Sequence, residues 1–310
     1  MSDIDSIFSD DWPADHRSGI VAIVGRPNAG KSTLVNALLG QKIAIVAPKP
    51  QTTRTRQLGI HTTPRSQILF MDTPGLHEPH NKLGEMMLES VFQALNDADA
   101  ILWIVDASQP PNSEDQRIAQ ALSEHIRPKP VLLALNKADL GSQYADAYRA
   151  LFTPQAERAI SALNNQGVAE LIPLLVEWLP LGPRYFPAEQ VSDANMRLIA
   201  AEIIREKVIF NTEKEIPYSV AVKIDEYREA EERTFISATL YVERDSQKGI
   251  LIGAGGKMIK TIGTQARQEL MTLLETPVHL ELNVKVLKDW RDDEVLMRRI
   301  GYHMPKEDDD

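Results

Sequence analysis

Between residues 25 and 33 the chain reads Gly25-Arg26-Pro27-Asn28-Ala29-Gly30-Lys31-Ser32-Thr33, a match to the phosphate-cradling pattern GxxxxGK[ST]. The run Ile20-Val21-Ala22-Ile23-Val24 before it is apolar and β-branched, as in a buried parallel strand. After it, Leu34, Val35, Leu38 and Leu39 recur at helical spacing. The glycines therefore fall between a strand end and a helix N-terminus. There, backbone N–H groups can curl around an anion, and the helix dipole adds roughly half a positive charge. In that setting Lys31 reaches the β- and γ-phosphates of a nucleotide and Ser32 places a hydroxyl on Mg²⁺. A glycine turn that binds nothing is the plain alternative, and the flanking strand and helix argue against it.

The same strand-and-helix rhythm continues. Ser66–Met71, Ala100–Val105, Val131–Leu135 and Glu157–Ile160 are expected as strands alternating with amphipathic helices, each strand ending in polar residues. This pattern predicts an α/β, doubly wound domain over residues 18–181, with its ligand beyond the carboxyl ends of the strands. Asp72-Thr73-Pro74-Gly75 follows one strand: the aspartate would hold Mg²⁺ through water and the Gly75 N–H would meet a γ-phosphate, although an Asp-capped Pro-Gly turn fits the same residues. Asn136-Lys137-Ala138-Asp139 follows another. A carboxylate there accepts both N1–H and N2–H from guanine, groups that adenine lacks. Asn136 would support the base edge from N7 and the neighbouring loop, and the Lys137 stem would lie over the ring. Ser161-Ala162-Leu163 follows the last strand and offers backbone N–H groups to guanine O6, or simply a helix-capping serine.

A second unit begins after Leu179-Pro-Leu-Gly-Pro-Arg-Tyr-Phe-Pro187, a proline-dense stretch that reads as a stiff linker over residues 182–190. In residues 191–302 a helix is expected over Asn195–Phe210. Antiparallel strands are expected over Tyr218–Ile224 and Phe235–Val242, then a helix to about Leu274 and a strand over Val278–Val286. Between the second strand and that helix lies Ile252-Gly253-Ala254-Gly255-Gly256-Lys257-Met258-Ile259, followed by Lys260. This run resembles the KH-domain signature, whose GxxG loop clamps a nucleic-acid backbone, and the order α-β-β-α-α-β matches the type II arrangement. The glycines allow a phosphodiester backbone to approach closely. Lys248, Lys257 and Lys260 supply charge in a locally basic segment, and Ile252 and Ile259 flank an apolar groove for unstacked bases. Trp290 either stacks on a base or packs in the core.

The whole chain of 310 residues carries a net charge of −10, which argues against a protein coated in nucleic acid and against strong attraction to anionic lipid. Its ends, residues 1–17 and 303–310, are acidic and are expected to be solvating tails. No apolar run approaches the ~18 residues of a membrane span, and the acidic start is unlike a secretory signal, so a cytoplasmic location is expected. Without cysteine there are no thiolate metal sites, which leaves oxygen-ligated Mg²⁺. The seven histidines lack metal-ligand spacing and are expected at the surface or in switch loops.

The motifs Gly25 to Thr33, Pro50-Gln-Thr-Thr-Arg54, Asp72-Thr-Pro-Gly-Leu-His77 and Asn136 to Asp139, in this order and followed by a KH signature, resemble the translation-factor-related GTPases and more closely the Era family. The resemblance covers almost the whole chain. It implies that GTP is hydrolysed to GDP, with Lys31, Thr53 and Gly75 at the reacting phosphate, and that Thr53 of the first switch gives Mg²⁺ its second hydroxyl, Thr52 being the near alternative. It also implies a ligand at the 3′ end of small-subunit (16S) ribosomal RNA and a task in assembly of the small ribosomal subunit, performed by a monomer. Some Era proteins are found at the inner membrane, and for this acidic chain any such association is weak and peripheral. Asn28 resembles the asparagine that lets some related GTPases use K⁺, and a solvent-facing loop residue fits it equally. One position departs from the Ras-like pattern: Leu76 stands where a water-orienting glutamine would follow the glycine, as the Era resemblance implies, so intrinsic hydrolysis is expected to be slow. Two other readings are a GTP-sensing RNA-binding protein with incidental turnover and a membrane-associated regulatory GTPase.

Overall fold

The computed structural model describes residues 12–45, 49, 53–76, 78–125, 128–230 and 232–302. Two compact units are present, with the main division between Asp193 and Ala194.

The first unit is built on β1 (Arg17–Val24), α1 (Lys31–Leu39), β2 (Gln57–Thr63), β3 (Ser66–Asp72), α2 (Lys82–Asp97) and β4 (Ala100–Asp106). It continues with α3 (Ser113–His125), β5 (Val131–Asn136), α4 (Ala145–Leu151), β6 (Ala156–Ala159) and α5 (Leu171–Trp178). The strands form one sheet in the order β2-β3-β1-β4-β5-β6, all parallel except β2, which pairs antiparallel with β3. Alternation along each strand divides the core. Val21, Ile23, Phe70, Leu102 and Leu132 pack with Leu34 and Val35 of α1 and Leu171 and Leu175 of α5. Ala22, Val24, Met71, Trp103 and Leu133 pack on the other face with Val91, Ile118 and Tyr148. Both faces are covered, which is why these strands read as continuous apolar runs.

The sequence pattern did not reveal β2. This edge strand mixes Gly59, His61 and two threonines with its few apolar residues, so it carries little of the apolar signal of its neighbours. Two histidines also depart from expectation. His16 is buried, with Nδ1 2.9 Å from the Gly182 carbonyl, and His61 is half-buried on β2. The proline-dense stretch is bonded to β3, and the residues after it to the edge strand β2. Buried Gln67 accepts from the Tyr185 and Phe186 amides (2.7 and 2.9 Å) and donates to the Phe186 carbonyl (2.8 Å), while the Ile60 amide donates to Val191 (2.9 Å).

The second unit contains α6 (Met196–Asn211), a short α7 (Ile216–Ser219), β7 (Ala221–Glu229), β8 (Thr234–Val242), α8 (Asp245–Ile252), α9 (Lys257–Leu274), β9 (Val278–Val286) and α10 (Glu294–Arg299). Asn195 caps α6 by accepting from the Leu198 amide at 2.9 Å. Strand β7 begins three residues later than expected. Pro217 sits in the first turn of a helix that takes residues 216–219, a position where its missing N–H costs nothing. β7 pairs antiparallel with β8 and β8 parallel with β9, in unbroken register from Thr234↔Val278 to Val242↔Val286. Ile203, Ile204 and Val208 of α6 meet Ile262, Ala266 and Leu270 of α9 over this sheet. This is the type II KH topology. Trp290 belongs to the core: it is fully buried, donates from Nε1 to the Ser219 carbonyl (3.0 Å) and stacks on Tyr302 at 5.5 Å. None of the described helices is long and apolar enough to cross a membrane.

Candidate functional site

The carboxyl ends of β1, β3, β5 and β6 gather the polar residues singled out above. At the end of β1 the chain turns through Gly25 to Gly30 into α1, with Gly30 at φ 109° and Asn28 exposed at φ 61°. Lys31 is buried, and its Nζ donates to the carbonyls of Gly25 (2.8 Å) and Arg26 (3.1 Å). Burial pulls its pKa down to about 8, against the opposing charges of Asp72 and Glu114. Ala29 is buried and Thr33 half-buried.

Three oxygens meet in front of Lys31. Ser32 Oγ donates to Asp72 Oδ2 at 2.7 Å and lies 3.0 Å from Thr53 Oγ1, which is itself 3.4 Å from Asp72 Oδ2. Burial pushes the Asp72 carboxyl up, against the Lys31 charge and the two hydroxyl hydrogen bonds. The other oxygen, Oδ1, is buried with no hydrogen-bond partner among the described residues. Two hydroxyls and a carboxylate with spare acceptor capacity suit a hard cation that takes most of its ligands from phosphate and water, so the donor set fits Mg²⁺. Thr52 lies outside the described residues.

The segment after β3 packs tightly. Thr73 donates to the Ile23 carbonyl at 2.7 Å and Pro74 is buried. Gly75 lies so close to Pro27 that an added Cβ would sit 2.8 Å from its ring. Leu76 is buried in the core with Val91 and Leu95, so its side chain is removed from any reacting water.

At the end of β5, Asn136 forms a buried cross-brace. Its Nδ2 donates to the Ala29 carbonyl (2.8 Å) and its Oδ1 accepts from the Ala162 amide (2.9 Å), so one side chain fixes the phosphate loop against the 161–163 loop. Lys137 adopts a left-handed backbone (φ 61°) and opens a 3₁₀ turn, Ala138–Leu140, that leaves Asp139 exposed. Ser161 caps no helix: its Oγ accepts from Asn164, and its amide and carbonyl pair with Gln166. The Ser161 and Ala162 amides are thus engaged already, while Leu163 stands exposed at the rim.

Sequence reasoning passed over Asp106 and Asp115. Asp106, the last residue of β4, accepts from Lys137 Nζ at 2.7 Å and lies 3.8 Å from Arg26, which also pairs with buried Asp115 at 3.1 Å. The available signal was position, since Asp106 is a polar residue at the carboxyl end of a strand whose neighbours all carry site residues.

In the second unit the GxxG loop is open. Gly253 ends α8 at φ 73°, Gly255 and Gly256 have φ 58° and 75°, and Gly256 caps α9. Ala254, Lys257 and Lys260 are exposed, and Lys248, Ile252 and Ile259 are half-buried. Buried Gln247 fixes the start of α8 by accepting from the Glu243 and Arg244 amides (2.9 and 3.2 Å), so the loop is presented from a rigid base.

Residues 20–137 match the family described as 50S ribosome-binding GTPase, and residues 215–291 match the KH domain. Among curated proteins the chain is 46% identical to GTPase Era of Geobacter metallireducens over 92% of its own length and 98% of that protein's. It is 44% identical to GTPase Era of Heliobacterium modesticaldum over 92% and 97%. Among solved structures it resembles Era in complex with MgGDPNP and nucleotides 1506–1542 of 16S ribosomal RNA (TM-score 0.86, 40% identity, covering 92% of this chain and 99% of that one). A tyrosine-to-alanine variant of Aquifex aeolicus Era bound to GDP and AlF4⁻ is equally similar in fold (TM-score 0.86, 39% identity, with the same coverage). With a nucleotide-type loop and a KH loop on one chain, and relatives alike over nearly its whole length, this chain belongs to the Era family of GTPases.

Proposed function

We propose that the first unit binds and hydrolyses GTP while the KH unit holds the 3′ end of small-subunit ribosomal RNA, in the service of small-subunit assembly in the cytoplasm. The observation that carries this reading is the pair of built sites: Ser32, Thr53 and Asp72 converging beside Lys31 in one unit, and an open, basic GxxG loop in the other. The Era relative solved with a 16S fragment supports the choice of RNA.

On binding, the β- and γ-phosphates replace the Gly25 and Arg26 carbonyls as partners of the Lys31 ammonium. Asp139 accepts the guanine N1–H and N2–H, and the Lys137 stem covers the ring. Asn136 acts mainly by holding two loops, and a contact to guanine O6 shares the Ala162 amide between the base and Asn136. Mg²⁺, held by Ser32, Thr53 and Asp72, would neutralise charge on the phosphates. Gly75, packed on Pro27, presents its amide to the γ-phosphate. Because Leu76 is buried, orientation of the attacking water falls to backbone groups, Thr53 or a ribosomal partner, and unassisted turnover is slow. Exposed Asn28 is the residue through which K⁺ would assist.

Single-turnover hydrolysis of GTP and ATP by the purified protein, with and without an RNA spanning the 3′ end of 16S rRNA, tests the reading. Slow GTP turnover, negligible ATP turnover and tight RNA binding are expected. A preference for ATP would overturn the assignment of the base pocket.

A further inference from the structure

Arg26 of the phosphate loop and Lys137 of the base loop, which come from the ends of different strands, face a single carboxylate. Asp106 lies between them at the end of β4. Its Oδ2 takes the Lys137 ammonium at 2.7 Å and lies 3.8 Å from the Arg26 guanidinium. Its Oδ1 accepts from the Ser108 hydroxyl (2.6 Å) and amide (3.1 Å). The carboxylate is only 6% exposed, and both its oxygens are used. Burial alone would raise its pKa, but the Lys137 and Ser108 hydrogen bonds and the Lys137 charge hold it below the usual carboxylate range, so it is an anion at neutral pH. Behind it, Asp115 takes Arg26 at 3.1 Å and also accepts from the Asn112 amide (3.0 Å) and the Tyr148 hydroxyl (3.3 Å), while that hydroxyl lies 3.2 Å from the Asp106 carbonyl. Two cations and two carboxylates thus lock the phosphate side of the pocket to the base side.

We propose that Asp106 is a positioning residue for guanine nucleotide: it pins the Lys137 ammonium so that the lysine stem already forms one wall of the base pocket, and it keeps Arg26 and the phosphate loop in register with that wall. The proposal rests on the assignment of this pocket to GTP. A free lysine stem has four rotors to fix when a base arrives, whereas one tied at its far end has lost that freedom beforehand. The gain is the same for GDP and GTP, because the wall faces the base. It acts on binding and leaves the hydrolysis step alone.

The test is Asp106→Asn, which keeps size and loses charge, studied beside Lys137→Met, which keeps the stem and loses the ammonium, and beside the double variant. Affinities for fluorescent GDP and a non-hydrolysable GTP analogue, KM and kcat for GTP, and melting temperature are measured for each. The expected result is a loss of about tenfold in affinity for both nucleotides in Asp106→Asn, a matching rise in KM and an unchanged kcat at saturation. In the double variant Asp106→Asn should add less than about threefold to the effect of Lys137→Met, since the ammonium is gone and the remaining partner, Arg26, is 3.8 Å from Asp106 and held more closely by Asp115 at 3.1 Å. Additive losses, or a fall in kcat with KM unchanged, would overturn the proposal. If Asp106→Asn does not fold, Ser108→Ala, which frees the carboxylate to turn, replaces it in the same cycle and should show a smaller loss with the same non-additivity. A preference of the unsubstituted protein for ATP would instead defeat the underlying assignment, so the two failures are distinguishable.

Discussion

A Cβ added at Gly25 would lie 2.4 Å from the Ile104 carbonyl oxygen, and one added at Gly30 would lie 2.3 Å from Asn136 Nδ2. At Gly255 and Gly256 of the second unit an added Cβ would meet nothing within 4 Å. The two loops look alike in sequence, and glycine serves different masters in them. In the phosphate loop the protein's own packing requires it, because the loop is wedged between β4 and the Asn136 brace. In the GxxG loop packing constrains only the first glycine, Gly253, where an added Cβ would lie 2.8 Å from Met258; at Gly255 and Gly256 the constraint is the left-handed backbone at φ 58° and 75° and the close approach of whatever lies against it. Fold and site are therefore inseparable at the phosphate-loop glycines and separable at Gly255 and Gly256.

The largest effect follows from that inseparability. Gly25→Ala places a methyl group against a backbone oxygen that belongs to a central strand and cannot move independently. A loss of stability of about 3 kcal/mol or more is expected, together with a drop in GDP affinity of roughly a hundredfold or more. Calorimetry and fluorescent nucleotide titration measure both. If GDP binds the variant normally at an unchanged melting temperature, the comparison breaks at its stronger end.

The GxxG loop should behave in the opposite way. Gly256→Asp leaves GTP affinity unchanged and costs about 1–2 kcal/mol for a side chain in the left-handed region. With RNA on the GxxG loop as proposed, the carboxylate would face its backbone, so affinity for a 16S 3′-end fragment is expected to fall roughly thirtyfold at low salt, and less as salt screens the repulsion. Gly256→Asn, of the same size but uncharged, sharpens the result by separating clash from repulsion, with filter binding as the readout.

This difference also explains what could be read from the sequence. The phosphate loop, the Asp72 turn and the Asn136 turn were legible because each is a contiguous string at a strand end, and buried parallel strands announce themselves as apolar runs. The KH topology was legible from element order, since β8 and β9 match their expected bounds to within a residue. Structure made by distant side chains was not legible. Nothing local marks Asn136 as a brace to Ala29 and Ala162, Gln67 as the clamp on Tyr185 and Phe186, or Asp106 as the shared partner of Arg26 and Lys137. The edge strand β2 was missed because Gly59, His61 and two threonines break up its apolar signal, and the Ile216–Ser219 turn because a four-residue helix has no periodicity to detect.

The smallest effect separates the loops by charge. Lys31 is buried with its ammonium on two carbonyls and its pKa lowered to about 8, whereas Lys257 and Lys260 stand in solvent. Burial disfavours the charged form, so the folded, nucleotide-free protein gives up this proton near pH 8, while the unfolded chain keeps it until roughly pH 10.4. Between those values the unfolded chain binds more protons, so from this group the empty protein gains stability as pH rises. Nucleotide binding runs the other way. A triphosphate favours the ammonium, so binding above about pH 8 must first return the proton, and affinity should fall toward tenfold per pH unit, having been flat below about pH 7.5. Titrations of GDP from pH 7 to 9, with calorimetry in two buffers of different ionisation heat, should show proton uptake on binding at the upper end. Guanosine, which lacks the phosphates, reports the base pocket without Lys31, and its profile subtracts whatever the base contributes. Equal pH profiles for GDP and guanosine would mean that Lys31 keeps its proton throughout, and that the phosphate loop is as open to solvent as the GxxG loop.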